Sequence, residues 1–142
     1  MEIVSTTVQL DTPDGKMEAY EARPKDSGSY PAIVVLMEAF GVNAHIKDVT
    51  ERIAREAYVA FAPDLYHREP ERVVSYQQLP KAVAIMQRLQ DSKVMKVMED
   101  VGAAIAHLKA QSYVKPSALG GHWVLHGRTV HLSERGALQP GF

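Results

Sequence analysis

The sequence predicts an α/β fold: a mainly parallel sheet entered through an N-terminal antiparallel hairpin. Three observations carry this. Ala32–Met37 (AIVVLM) is an unbroken apolar run stopped by Glu38, the pattern of a strand buried on both faces. Tyr58–Ala62 (YVAFA) is a second such run, closed by Pro63. Between them Ala44–Glu56 has helical apolar spacing, so strand, helix and strand follow within about 30 residues, as in a parallel crossover.

Composition narrows the class. A chain of 142 residues holds one domain at most and can bury a real core. With 16 Lys+Arg against 17 Asp+Glu the net charge is −1, which gives no footing for nucleic acid or a membrane surface. No apolar run approaches the ~20 residues of a membrane helix. The opening MEIVSTTVQL lacks the basic and apolar regions of a secretory signal, so the expected location is the cytoplasm. The absence of cysteine excludes disulfides and thiolate metal sites.

In chain order, Ile3–Leu10 and Lys16–Ala22 flank DTPDG, whose Asp14-Gly15 is a hairpin turn signal at a sheet edge. Arg23–Tyr30 (RPKDSGSY) is turn chemistry. Asn43 is the expected N-cap of the helix over Ala44–Glu56, with Ile46, Val49, Ile53 and Ala54 on its inner face. Ala57 stands at the turn into the second strand; if the backbone there is left-handed, alanine costs roughly 1 kcal/mol. Asp64–Arg72 then forms a loop on the same rim as Glu38, where Asp64 is expected to hydrogen-bond its own loop. Pro80 opens a helix with Val83, Ile85, Met86 and Leu89 inward. Asp91 or Ser92 caps the next helix, which runs to about Ala110 with a seam of Val94, Met98, Val101, Ile105 and Leu108. Met37, Met86, Met95 and Met98 read as core filler.

The stretch EAFGVN, then HIKDVTERIAREAYVAFAPDLYHRE, resembles the dienelactone hydrolase family of α/β-hydrolases, specifically over Met37–Arg68 and broadly over Thr12–Ser117. The resemblance implies a carboxylic ester or lactone hydrolase acting on a small molecule through a Cys–His–Asp triad, with no cofactor. It implies that Glu38 partners the nucleophile. It also implies that the backbone N–H of Ala39 is half of the oxyanion hole. By itself Glu38 would read as a loop carboxylate accepting backbone hydrogen bonds. His67 and Arg68 are substrate-rim candidates for an anionic group, although a solvated loop is the simpler role for both.

The pattern breaks where the family's G-x-C-x-G-G nucleophile elbow is due. The chain reads ALGGHWVLHGRTVHLSERGALQPGF, with no helical period and no strand–elbow–helix. His122–Arg128 can be encoded as CAC TGG GTT CTG CAT GGG CGG, and a shift of one nucleotide, starting within a GGT codon for Gly121, reads V-T-G-F-C-M-G-G. We therefore expect residues 1–119 to be the N-terminal part of a truncated α/β-hydrolase domain and 120–142 to be an out-of-frame tail. Such a chain lacks nucleophile, triad Asp and triad His and is inactive. The alternative is a non-catalytic module that binds a small molecule or protein around Glu38 and His67. His122, His126 and His131 are rejected as a metal site, because Gly120, Gly121 and Gly127 undermine a helix and no carboxylate is in phase. Without later strands, Ala32–Met37 would be an unpaired apolar edge, prone to self-association or to a partly folded, dye-binding state.

Overall fold

The computed structural model describes the backbone of residues 1–92, 94–125, 128–132 and 138–140, and side chains within 1–89 and 95–121. Seven strands form one sheet: β1 (Ile3–Thr12), β2 (Gly15–Pro24), β3 (Tyr30–Leu36), β4 (Val59–Pro63), β5 (Val114–Leu125), β6 (Arg128–Leu132) and β7 (Leu138–Pro140). Their order is β1-β2-β4-β3-β5-β6-β7. The centre is parallel, with β3 pairing both β4 and β5, and both flanks are antiparallel. Among the described residues the sheet is joined by three α-helices, α1 (Ala44–Ala54), α2 (Leu79–Ser92) and α3 (Val94–Lys109).

The hairpin closes where DTPDG placed it, with Thr12 opposite Gly15 and Gly15 at φ +121°. Period-two alternation sorts the central strands between two cores. Ile33 and Val35 of β3, with Ala60 and Ala62 of β4, face Ile46, Val49 and Ile53 of α1. Ala32, Val34 and Phe61 face the other way, onto Met17, Ala104 and Leu108. Both strands are thus apolar throughout because each is covered twice. Asn43 caps α1, its side-chain oxygen accepting from the Ile46 N–H at 3.1 Å. Ala57 is left-handed, at φ +69°, so the conditional cost of alanine there applies.

Three expectations are corrected. Val83 of α2 is 44% exposed, so the inner face of that helix is Ala82, Ile85 and Leu89. Met95 and Met98 are 71% and 63% exposed, which removes them from the core and turns the α3 seam. Asp100, Ala104 and Leu108 point inward instead, and Asp100 is fully buried because cationic partners meet it there. Lastly, β3 is not an edge: Leu119–Trp123 pairs in parallel with Ala32–Leu36. Among the described residues the outer strands are β1 and β7. No helix among the described residues is long and apolar enough to cross a membrane.

Candidate functional site

The loop leaving the carboxyl end of β3 is held peptide by peptide. The Glu38 carbonyl accepts from the Gly41 N–H at 3.1 Å, and the Phe40 carbonyl from the Val74 N–H at 3.1 Å. Between these two, the Ala39 carbonyl accepts from the Tyr66 hydroxyl at 2.7 Å. Gly41 is required by this path. It sits at φ +85°, and a Cβ there would collide with the Arg72 carbonyl. The Phe40 ring meets Tyr76 edge-on at 4.6 Å between centroids, and Tyr76 in turn accepts from the Asn43 side-chain amide at 3.0 Å.

Geometry of a trans peptide sets the direction of the Ala39 N–H. Because the Glu38 carbonyl turns into the loop, the N–H of the same peptide, that of Ala39, points the opposite way. Among the described residues this N–H has no hydrogen-bond partner. In the preceding residue, Oε1 of Glu38 is buried and has no partner among the described residues. The simpler reading of Glu38, a carboxylate capping backbone N–H groups, leaves that oxygen unexplained. A buried orphan acceptor is costly, so it marks a place for a donor.

The second rim loop, at the end of β4, is braced from within. Asp64 accepts from the Tyr66 N–H at 3.0 Å, the local bond expected of it. Burial pushes the Asp64 carboxyl above 3.8 and the Tyr66 hydroxyl up to about 12, so Tyr66 is a hydrogen-bond donor at neutral pH. His67 and Arg68 are not solvated. The His67 side chain is 2% exposed, with Nε2 3.1 Å from Oδ2 of Asp100. Arg68 grips Asp100 through both terminal nitrogens and Asp14 through Nε, which commits three of its five N–H donors within the protein. These carboxylates, Asp100 first, hold the Arg68 guanidinium above its ordinary value, and Arg68 and Lys96 hold Asp14 below its own. Sequence reasoning missed Tyr66 and Asp100. The only signal for Asp100 was its place three and four residues from Val97 and Ala104, legible once a charge is admitted to an inner face.

Elsewhere, an open cleft is lined in part by Tyr20, Val42, Lys47, Asp64, Arg72 and Val73; neither Glu38 nor His67 contributes to it. His45 is half-buried in the first turn of α1. The side chains of His122, His126 and His131 lie outside the described residues. Among the described residues no group of three or more His, Cys, Asp or Glu side chains could hold a metal ion.

Comparison with known proteins agrees with this architecture. The family model described as "Dienelactone hydrolase family" matches residues 17–121. A "Putative carboxymethylenebutenolidase" of Synechocystis sp. is 34% identical over 134 residues, covering 89% of this chain and 54% of that protein. One of the same description from Escherichia coli K12 is 35% identical over 103 residues, covering 71% and 38%. Among solved structures, a "Putative Dienelactone Hydrolase from Klebsiella pneumoniae" superposes at TM-score 0.69 with 28% identity, over 84% of this chain and 48% of that one. The promiscuous phosphotriesterase P91 from metagenomic libraries shares the fold at TM-score 0.73 and 23% identity, over 89% and 51%. The chain spans about half the length of such relatives. With Glu38 in the pinned loop just past the end of β3 and APDLY closing the next strand, the chain belongs to the dienelactone hydrolase family, within the α/β-hydrolase fold.

Proposed function

We propose that these 142 residues are the oxyanion-loop half of a carboxylic ester or lactone hydrolase and do not turn over substrate alone. Glu38 supplies the carboxylate that partners an incoming thiol, and the Ala39 N–H supplies one donor to the tetrahedral oxyanion. The observation that carries this is the buried Oε1 of Glu38, which has no hydrogen-bond partner among the described residues, together with an Ala39 N–H that has none among them either. A nucleophile with its own proton would satisfy the first, and a developing alkoxide the second. The sequence holds no cysteine to fill that place. The family match ends at residue 121, next to the point where the shifted frame would spell G-F-C-M-G-G. The residues from Gly120 on are then an out-of-frame tail, and the intact protein takes a small neutral or anionic ester or lactone. His67 and Arg68 brace the rim through Asp100 rather than touching substrate, which sets them apart from the rim role suggested by position alone.

The purified chain assayed with an activated aryl ester such as 4-nitrophenyl acetate should hydrolyse it no faster than buffer does. Saturable turnover at enzyme-like rates, lost on changing a side chain after Gly120, would overturn the reading. Coding DNA read across residues 117–128 should show an open frame one base away containing the cysteine codon.

A further inference from the structure

We propose that Tyr66 is a positioning residue for the Ala39 N–H, and that Asp100 secures Tyr66 through Arg68 and His67. This rests on the reading of Ala39 as an oxyanion donor. Of the three successive carbonyls in the loop, those of Glu38 and Phe40 are held by main-chain N–H groups, and only that of Ala39 is held by a side chain. The Tyr66 ring that delivers the hydroxyl is fully buried, in a cluster with Val74, Ala82, Ile85 and Leu89. The 2.7 Å separation is that of a well-formed O–H···O bond.

The two peptide planes that meet at the Ala39 Cα share its torsions. Freeing the carbonyl on one side therefore loosens the N–H on the other. An oxyanion donor works by being aimed before the charge appears, so a loosened N–H is a weaker donor even if it stays in place on average. Tyr66 is itself fixed from both sides. Its N–H is bonded to Asp64 at 3.0 Å, and the next two residues are both tied to Asp100, an anion with no solvent exposure. Asp100 lies on α3, so a helix on one side of the sheet sets the stiffness of a loop at its rim.

The test uses the whole 142-residue chain, isotopically labelled, with backbone amide order parameters measured by NMR relaxation. In the unaltered chain the Ala39 amide should be as rigid as the strands, about 0.85, and in Tyr66→Phe it should fall towards 0.6. Asp100→Asn should lower it by a smaller step. Tyr113→Phe, which removes a different hydroxyl from Glu21, should leave it unchanged. General loosening of the fold would lower Ala39 equally in Tyr66→Phe and Tyr113→Phe, and that result overturns the proposal. So would a mobile Ala39 in the unaltered chain, an unmoved one in Tyr66→Phe, or a Tyr66→Phe chain that no longer folds, since Tyr66 would then be a general support. Ester hydrolysis plays no part in this readout. Turnover by the chain would remove the functional reading and leave the loop result standing.

Discussion

Arg68 lies end-on against Asp100, its two terminal nitrogens donating to the two carboxylate oxygens at 2.7 and 2.9 Å. The Arg68 side chain is 10% exposed and the Asp100 side chain not at all, so neither charge can turn to water if the other is lost. Asp100→Ala should therefore cost about 3–5 kcal/mol, the scale for stranding one member of a buried pair. Urea unfolding measures this. Combining Asp100→Leu with Arg68→Met should recover much of the loss, because the desolvation cost of both charges goes with them.

Ala57 is the non-glycine residue found at positive φ among the described residues, at +69°. Ala57→Gly relieves that strain, at the expense of a more flexible unfolded chain. The balance should favour the folded state by about 0.5–1 kcal/mol. A higher urea midpoint with an unchanged slope is the expected result.

Gly41 and Gly15 make a contrasting pair. Both have positive φ, but a Cβ at Gly15 meets open space whereas one at Gly41 meets the Arg72 carbonyl. Gly15→Ala should cost about 1 kcal/mol of conformational strain alone. Gly41→Ala should cost more, up to about 3 kcal/mol, and should shift the NMR signals of the Glu38–Asn43 loop and Val74. Equal losses at the two positions would argue that the loop yields freely.

Two tyrosines predict how alkali acts. Burial raises the Tyr66 and Tyr113 hydroxyls from 10.0 to about 12, with Glu69 adding to the effect at Tyr66 and Glu21 at Tyr113. In the unfolded chain both would release their protons near 10.0, so between those values the folded state binds more protons. Stability from this source is complete below the lower value and is lost as pH climbs to the upper one. Unfolding followed against pH should show that decline, and Tyr66→Phe should flatten it. The tyrosinate absorbance of the folded chain should lag behind that of the urea-unfolded chain.

Sequence made the central architecture legible because two-sided burial leaves a plain mark. AIVVLM and YVAFA carry no polar residue, and a strand covered by helices on both faces permits none. Asn43, Asp14-Gly15 and Ala57 were readable for another reason: each acts within a few residues of itself. The α3 seam failed because apolarity was taken as the sign of burial. Met98 is apolar and exposed, while Asp100 is charged and buried, since only the tertiary fold brings Arg68 and His67 to it. The role of Tyr66 was hidden likewise, its partner lying 27 residues away in a different loop. The pairing of β5 with β3 was unreadable because main-chain bonds place little demand on side chains.

The clasp made by Asp14, Arg68, Lys96 and Asp100 draws the tip of the first hairpin, a rim loop and a helix to one point. During synthesis the hairpin cannot be fastened until α3 has left the ribosome, although its own strands pair early. Yet every member of the clasp emerges before the first residue of β5. Whatever the chain does afterwards, the residues that restrain the loop after β3 have by then all been made.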